Sequence, residues 1–501
     1  MSRSTILGGL QIGEGVPSML TIEEVVGAVE GAVIGSPSGG GTLTAVTVDS
    51  RQVTPGALFV ALKGQKHDGH DYVLEAFVRG ARAALVERVP EVGTATEATG
   101  ALPLIRVADS LAALQKLAAY WRERLAIPVV GVTGSVGKTT TKEVVAGLLG
   151  RRFQVLKSEG NLNTEVGLPL TLLRATPHHQ VVVVEMGMYA LGEIRALARV
   201  ARPEIGVVTN VGPTHLERLG SIERIAEAKG ELVEELPETG VAVLNFDDQR
   251  VKEMASRTRA RVAYYGLDPQ ADFWADSVQS RGLQGIEFDL RHHHGPSCRP
   301  LSASRPSWET AQGAEQWVHV RMPLLGLHSV HAALAAAAVG HQMGMSLEEI
   351  AEGLHEVSPS LRLIVEAGIN GSTIIDDSYN ASPASTLAAL NLLAELDGRK
   401  VAVLGDMLEL GNFAEEGHQM VGRRAADVAD LLIAVGELGE LIGREALACG
   451  RDPGSVFLVR GNVEAVQLLK SLLRPGDVVL VKGSRGMRME EIVEAIRCPT
   501  R

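Results

Sequence analysis

The chain is 501 residues long, 45% hydrophobic and 22% charged, a soluble globular composition on a length that excludes a single core and leads us to expect two to four domains. Its net charge of −12 excludes a general nucleic-acid binder, which needs a basic surface. The three cysteines, Cys298, Cys449 and Cys498, are odd in number and far apart, which fits neither a disulfide framework nor zinc spacing and points to a reducing cytoplasm.

The first 18 residues hold no apolar core of signal-peptide length and read as a loose extension. No run of about 18 apolar residues occurs, so no membrane span is expected. A helix starts at Thr21-Ile22-Glu23-Glu24 with an acidic first turn, 46–51 reads as a short strand, 54–56 as a turn and 57–62 as a buried strand. Helix and strand alternate to about Val107, which predicts a small α/β N-terminal domain over 20–107.

The next segment carries continuous apolar, β-branched runs at 128–132, 181–184, 205–208 and 241–244, the pattern of parallel strands covered on both faces. Helical patterns separate them, so a doubly wound, mostly parallel sheet is expected over 108–355, with its ligand crevice at the carboxyl ends of the strands. From 271 to 320 the pattern weakens into short strands. The stretch 292–316 is rich in Ser, Pro, Gly and His and reads as an enlarged, solvated hairpin loop. A helical section over 328–357 follows. Runs at 373–376, 401–404, 431–435 and 478–481 then predict a C-terminal Rossmann-like α/β domain over 356–501.

Between the strand at 128–132 and a helical run over 142–149 lies Gly134-Ser135-Val136-Gly137-Lys138-Thr139-Thr140. A glycine-bearing turn that opens a helix lets backbone N–H groups and the positive helix end surround a polyphosphate. Lys138 suits the terminal phosphates and Thr139 suits Mg²⁺. Val132 stands where the strict G-x-x-x-x-G-K-[ST] pattern has its first glycine, which points to one ATP-using subclass and makes the domain a P-loop-type ATPase.

Other strand ends carry polar groups. Glu185 closes a buried valine run and needs a cation or hydrogen-bond donors, either Mg²⁺ or an ion-pair partner. His215 follows the strand at 205–208 and gains interest from its place at the crevice. Lys229 lies on an amphipathic helix, where an exposed lysine is the default reading. Asn161, Asn163 and Thr164 offer amides and a hydroxyl to a polar substrate. Asp377, with Ser378, Tyr379 and Asn380, follows a strand as a ribose-binding carboxylate does. Arg362, Lys482 and Arg485 are cations for an anionic ligand or ordinary surface charge.

These segments, in this order, resemble the Mur ligases of peptidoglycan synthesis, from about Leu20 to Ile496. The resemblance is carried by Asp49-Ser50-Arg51, Leu58 to Gly64, Thr133 to Thr139, Gly160-Asn161-Leu162-Asn163, Glu185-Met186-Gly187, His215-Leu216-Glu217, Ala228-Lys229-Gly230-Glu231, Asp376 to Ala381, Leu404 to Gly411 and Val481 to Arg485. It implies three α/β domains: one for the UDP end of a substrate through Ser50, one for ATP, and one that closes over the site. It implies an acyl-phosphate route joining D-alanyl-D-alanine to UDP-N-acetylmuramoyl-tripeptide in a cytoplasmic monomer. It also implies a carbamylated Lys229 that holds one Mg²⁺ with His215 and Glu185, while Thr139 and Glu185 hold another. ATP contacts from 134–140, His328, Arg362 and Asp377 belong to the same expectation. So do substrate contacts from Asn161, Asn163, Thr164, Tyr379, Asn380 and Lys482. Ser329 and Ala332 replace asparagines usual in the family, the second of which often contacts adenine. Ser382 replaces another asparagine, and the loop near residue 293 is longer than usual. A sibling ligase or a folylpolyglutamate synthase, which adds single amino acids, and a nucleotide-driven switch are the rival readings.

Overall fold

The structure is a computed structural model that describes residues 20–35, 41–64, 66–89, 102–293, 315–357 and 364–498. These residues form a mixed α/β protein whose described strands make three sheets. The chain divides into two compact units: Met1–Val132, Arg152–Met188 and Gly192–Gly206 form one, and Thr133–Arg151, Tyr189–Leu191 and Val207–Arg501 the other.

In the first unit the strands β1 (Ala32–Ile34), β2 (Val46–Thr47), β3 (Leu58–Val60), β4 (Ala83–Val86) and β5 (Leu104–Arg106) form a sheet of order β1-β5-β4-β3-β2, parallel except for β1. Thr21 caps the helix Ile22–Val29 through a reciprocal bond with Glu24, as the acidic first turn predicts. The expected strand at 46–51 stops at Thr47. Asp49 accepts the Arg51 N–H at 3.0 Å and turns 50–52 into a short 3₁₀ turn, so a local side-chain bond replaces the ladder. The helix Ser110–Leu125 is tied down by Trp121, whose Nε1 donates to Ala175 O at 2.8 Å. Arg122 bonds the Ala201 carbonyl and Glu204. This unit also carries β6 (Val129–Thr133) up to Val132, β7 (Val155–Lys157) and β8 (Val181–Glu185), in parallel register with β8 between the other two.

The second unit carries the end of β9 (Ile205–Val208), then β10 (Val241–Asn245) and β11 (Arg261–Gly266), which pair in parallel. They are followed by β12 (Phe273–Ser280), β13 (Ile286–His293) and β14 (Glu315–Met322), an antiparallel meander of eight-residue strands. The short strands expected here are therefore too short, and the hairpin loop too long. Ile286, Phe288, Leu290 and His292 alternate onto the buried face of β13, and His292 stacks on Phe273 at 4.3 Å. His293 stacks on Trp274, so two of the three histidines belong to a strand rather than a solvated loop. His294 and the rest of the expected loop to 314 lie outside the described residues.

Also in the second unit are β15 (Ile364–Ala367), β16 (Thr373–Asp377), β17 (Lys400–Gly405), β18 (Leu431–Val435), β19 (Val456–Val459) and β20 (Val478–Lys482). Their order is β15-β16-β20-β17-β18-β19, parallel except at β15. Val478 and Leu480 face one core with Leu390, Leu393 and Leu404, while Val479 and Val481 face another with Val401, Ile433 and Ile492. Burial on both faces explains why these strands read as unbroken apolar runs. No helix among the described residues is long and apolar enough to cross a membrane.

Candidate active site

In the second unit the chain turns after Thr133 and enters the helix Lys138–Leu149 through Gly137, whose φ of +82° favours glycine. Gly134 is more constrained: its φ is +146°, and a Cβ there would stand 1.9 Å from Thr209 Oγ1. The turn is held from beside it. Ser135 N donates to Asn210 O at 2.9 Å, Val136 N to Asn210 Oδ1 at 2.9 Å, and Asn210 Nδ2 returns a bond to Val136 O at 2.9 Å. Thr209 Oγ1 donates to the same carbonyl at 2.7 Å, and Ser135 Oγ to Gly212 O at 3.0 Å. Lys138 Nζ bonds the Gly134 and Ser135 carbonyls, so its charge sits over the loop. The helix's own ladder begins with Thr141 N to Gly137 O, so the positive, N-terminal end of the helix lies at the loop.

Of the loop residues named from sequence, Ser135 and Val136 thus spend their N–H groups on the scaffold. Thr209 and Asn210, which the sequence marks only as polar groups following a strand at the crevice, are the groups that fix the loop. Their position just past a buried strand was the available signal.

Lys229 corrects the default reading of an exposed lysine. It is buried on the helix Ile222–Glu234, whose inner face includes Ile225, Ala228 and Leu232. Burial, and then the like charge of Lys138, hold its ammonium well below the usual lysine range. His215 stands in left-handed backbone (φ +58°) ahead of the short helix Leu216–Leu219. Its Nδ1 lies 2.8 Å from Glu409 Oε2, and its ring meets the edge of Tyr189 at 5.2 Å. The bond from His215 outweighs burial and holds the Glu409 carboxyl below its usual range.

The first unit carries the other named groups. Asn163 Nδ2 donates to Glu185 Oε1 at 2.8 Å, Gly187 N to Asn163 O at 2.9 Å, and Glu185 N to Ser158 Oγ at 3.0 Å. The loop bearing Asn161, Asn163 and Thr164 is thereby knitted to the end of β8, with the Glu185 carboxylate buried. Ser158 was not legible as part of this arrangement. Thr164 Oγ1 accepts the Gly167 N–H, and the Asn161 carbonyl accepts from Asn163 N. Ser50 is buried and donates to Glu75 Oε2 at 3.2 Å beside the Asp49–Arg51 ion pair.

In the C-terminal sheet Asp377 and Lys482 are register partners at the carboxyl ends of β16 and β20. Lys482 is buried rather than a surface cation, with Nζ 2.5 Å from Asp377 Oδ2 and 2.9 Å from Asn380 O. Arg485 lies over the Tyr379 ring at 5.4 Å. His328 is exposed ahead of the helix Ser329–Gln342, and the Ala332 position is buried. Arg362 lies outside the described residues.

The second unit carries a phosphate loop and a buried lysine, and the first a buried carboxylate that closes β8; such groups belong to an ATP-dependent ligase of the Mur type. Three sequence signatures match in chain order: the Mur ligase family catalytic domain over 42–122, the Mur ligase middle domain over 132–340 and the Mur ligase glutamate ligase domain over 361–485. The chain belongs to the Mur ligase family. It is 36% identical to the UDP-N-acetylmuramoyl-tripeptide–D-alanyl-D-alanine ligase of Bacillus subtilis, over 95% of this chain and 97% of that one. It is 36% identical to the Escherichia coli ligase of the same name, over 91% and 94%. The crystal structure of MurF from Acinetobacter baumannii superposes with a TM-score of 0.82 at 30% identity, covering 96% of this chain and 99% of that one. The MurF ligase of Thermotoga maritima in complex with ADP superposes at 0.74 and 29% identity, covering 90% and 96%.

Proposed function

We propose that this chain joins D-alanyl-D-alanine to UDP-N-acetylmuramoyl-tripeptide with ATP, giving an amide, ADP and phosphate. The observation that carries the reading is similarity from end to end with ligases of that activity, on a chain that keeps the phosphate loop intact. Three functional segments, 20–107, 108–355 and 356–501, divide the work among UDP binding, ATP binding and closure. The enzyme acts as a cytoplasmic monomer, and the exposed free thiols of Cys449 and Cys498 suit a reducing compartment.

A free carboxylate is a poor electrophile, so the substrate's terminal carboxylate first takes the γ-phosphoryl group of ATP. The amine of D-alanyl-D-alanine then attacks the acyl carbon, and phosphate leaves. Lys138 and the N–H groups at the helix start gather positive charge where two anions must meet. Asp377 and Arg362 take the ribose and a phosphate, and His328 is a further nucleotide contact. Ser50, Asn161, Asn163, Thr164, Tyr379, Asn380 and Lys482 orient the substrates.

Thr139, Glu185, His215 and Lys229 are the proposed Mg²⁺ ligands. The unmodified side chains do not suffice: among the described residues no three His, Cys, Asp or Glu side chains group as a cation site, and an ammonium repels a hard cation. Carbamylation of Lys229 turns the amine into a carboxylate-like oxygen donor, and the buried, depressed lysine favours the neutral form that reacts with CO₂. With that change each proposed ligand offers an oxygen or nitrogen donor, and bound Mg²⁺ would supply charge neutralisation between the reacting anions.

The test is product analysis by mass spectrometry with lysine- and diaminopimelate-containing UDP-N-acetylmuramoyl-tripeptides. D-alanyl-D-alanine should be incorporated with one of them, and Lys138→Ala should abolish substrate-dependent ADP release in a folded protein. Incorporation of a single amino acid instead, or ADP release without any amide product, overturns the reading.

A further inference from the structure

We propose that Glu409 is a positioning residue for His215. It fixes the imidazole with its proton on Nδ1 and its lone pair on Nε2, and so makes the ligand competence of His215 depend on the seating of the C-terminal segment.

The two side chains are 194 residues apart in sequence, yet Glu409 Oε2 lies 2.8 Å from His215 Nδ1. One belongs to the stretch matched by the middle domain and the other to the stretch matched by the glutamate ligase domain. An ionised carboxylate only accepts, so Nδ1 must donate, and in the neutral ring Nε2 is then the acceptor. A carboxylate on one ring nitrogen that leaves the other for a ligand is the arrangement that orients metal-binding histidines and raises their basicity.

The contact is built rather than incidental. Glu409 holds left-handed backbone (φ +66°), as does His215. The segment leading to it is pinned on several sides. Met407 N donates to His418 Nε2 at 2.9 Å, Leu408 N to Ser484 Oγ at 2.8 Å, and Gly439 N to Asp406 Oδ1 at 2.7 Å. Gly411 packs so closely that a Cβ there would lie 3.0 Å from Glu217 Cα. The neighbouring Arg218 guanidinium covers the Tyr189 ring that faces His215. Displacing the C-terminal segment would release the imidazole to rotate and change tautomer.

The inference rests on His215 acting as a ligand in the ligase reading, and its test separates the two. ¹⁵N NMR of histidine-labelled full-length protein, with His215 assigned by loss of its signal in His215→Gln, reads the tautomer without turnover. The wild type should show protonated Nδ1, and Glu409→Ala should shift His215 toward protonated Nε2. In the ligation assay Glu409→Ala should raise the Mg²⁺ concentration for half-maximal rate about 10-fold to 100-fold. Glu409→Gln, which keeps an acceptor at the same reach, should recover part of that. An unchanged tautomer in Glu409→Ala, or unchanged Mg²⁺ dependence in a variant that still makes product, overturns the proposal and leaves the ligase reading standing. A wild type that makes no amide product sinks the ligase reading, and the Mg²⁺ part of the proposal with it, whatever the tautomer.

Discussion

Val136 and Asn210 clasp each other: the Val136 N–H donates to Asn210 Oδ1 and the Asn210 amide returns a bond to the Val136 carbonyl, both at 2.9 Å. One side chain thereby satisfies both polar groups of the residue at the tip of the phosphate loop. No apolar or charged residue of similar size can do both, because only a carboxamide offers donor and acceptor side by side.

Asn210→Asp is therefore expected to be worse than its size suggests. It keeps the acceptor for Val136 N–H but sets a carboxylate oxygen against Val136 O and adds negative charge beside a site for phosphates. Unpaired or opposed polar groups of this kind cost about 1–3 kcal/mol, which is about a 5-fold to 150-fold rise in nucleotide dissociation constant if the cost falls on binding. Titration with a fluorescent ATP analogue checks it, and unaltered affinity in a folded Asn210→Asp protein would refute the scaffold role.

In the first unit Asp68, ahead of the 3₁₀ turn Gly69–Tyr72, is a pH-sensitive carboxylate. Burial pushes the Asp68 carboxyl up, but bonds from His70 N (3.0 Å), His70 Nδ1 (2.6 Å) and Arg88 outweigh it and hold Asp68 at about 2, against an ordinary 3.8. A carboxylate depressed on folding stabilises fully above its unfolded value, and that contribution is lost as pH falls from 3.8 toward 2. Its size is on the order of 2 kcal/mol. Asp68→Asn should lower the melting temperature at pH 7 and lower it less at pH 3. An equal drop at both pH values would remove the electrostatic account.

Lys482 and Asp377 are a nearly dry pair at adjacent strand ends. Removing one partner leaves the other charge buried, which costs about 3–5 kcal/mol, whereas removing both charges costs much less. Lys482→Met should therefore melt well below the wild type, and Lys482→Met with Asp377→Asn should regain most of the loss. A double variant as unstable as the single would show the two charges to be uncoupled.

The strands were legible because burial on both faces leaves a run with no polar alternation, as in 181–184 and 478–481. The phosphate loop was legible because its glycines and lysine are close in sequence. Pairings across the chain were not: nothing near His215 announces Glu409, and nothing near Val136 announces Asn210. Lys229 misled because an amphipathic helix places lysines on either face, and only packing decides which. His292 misled because a run of histidines beside Gly and Pro outweighed the period of two that begins at Ile286.

Lys229 gives the sharpest pH test. Burial, reinforced by Lys138, lowers its pKa far below the value of about 10.4 that an unfolded chain would show. Between those two values the unfolded state binds more protons, so this group makes the fold more stable as pH rises through the range and less stable as pH falls. In CO₂-free buffer Lys229→Met, which fills the same space without a titratable group, should melt higher than the wild type at pH 7, and the gap should close toward pH 10. The same variant should make no amide product. With ¹³C-bicarbonate the wild type should show a carbamate carbon resonance that Lys229→Met lacks. Full product formation by Lys229→Met would falsify the ligand role, and a wild type without the carbamate signal would leave the amine unable to hold a cation.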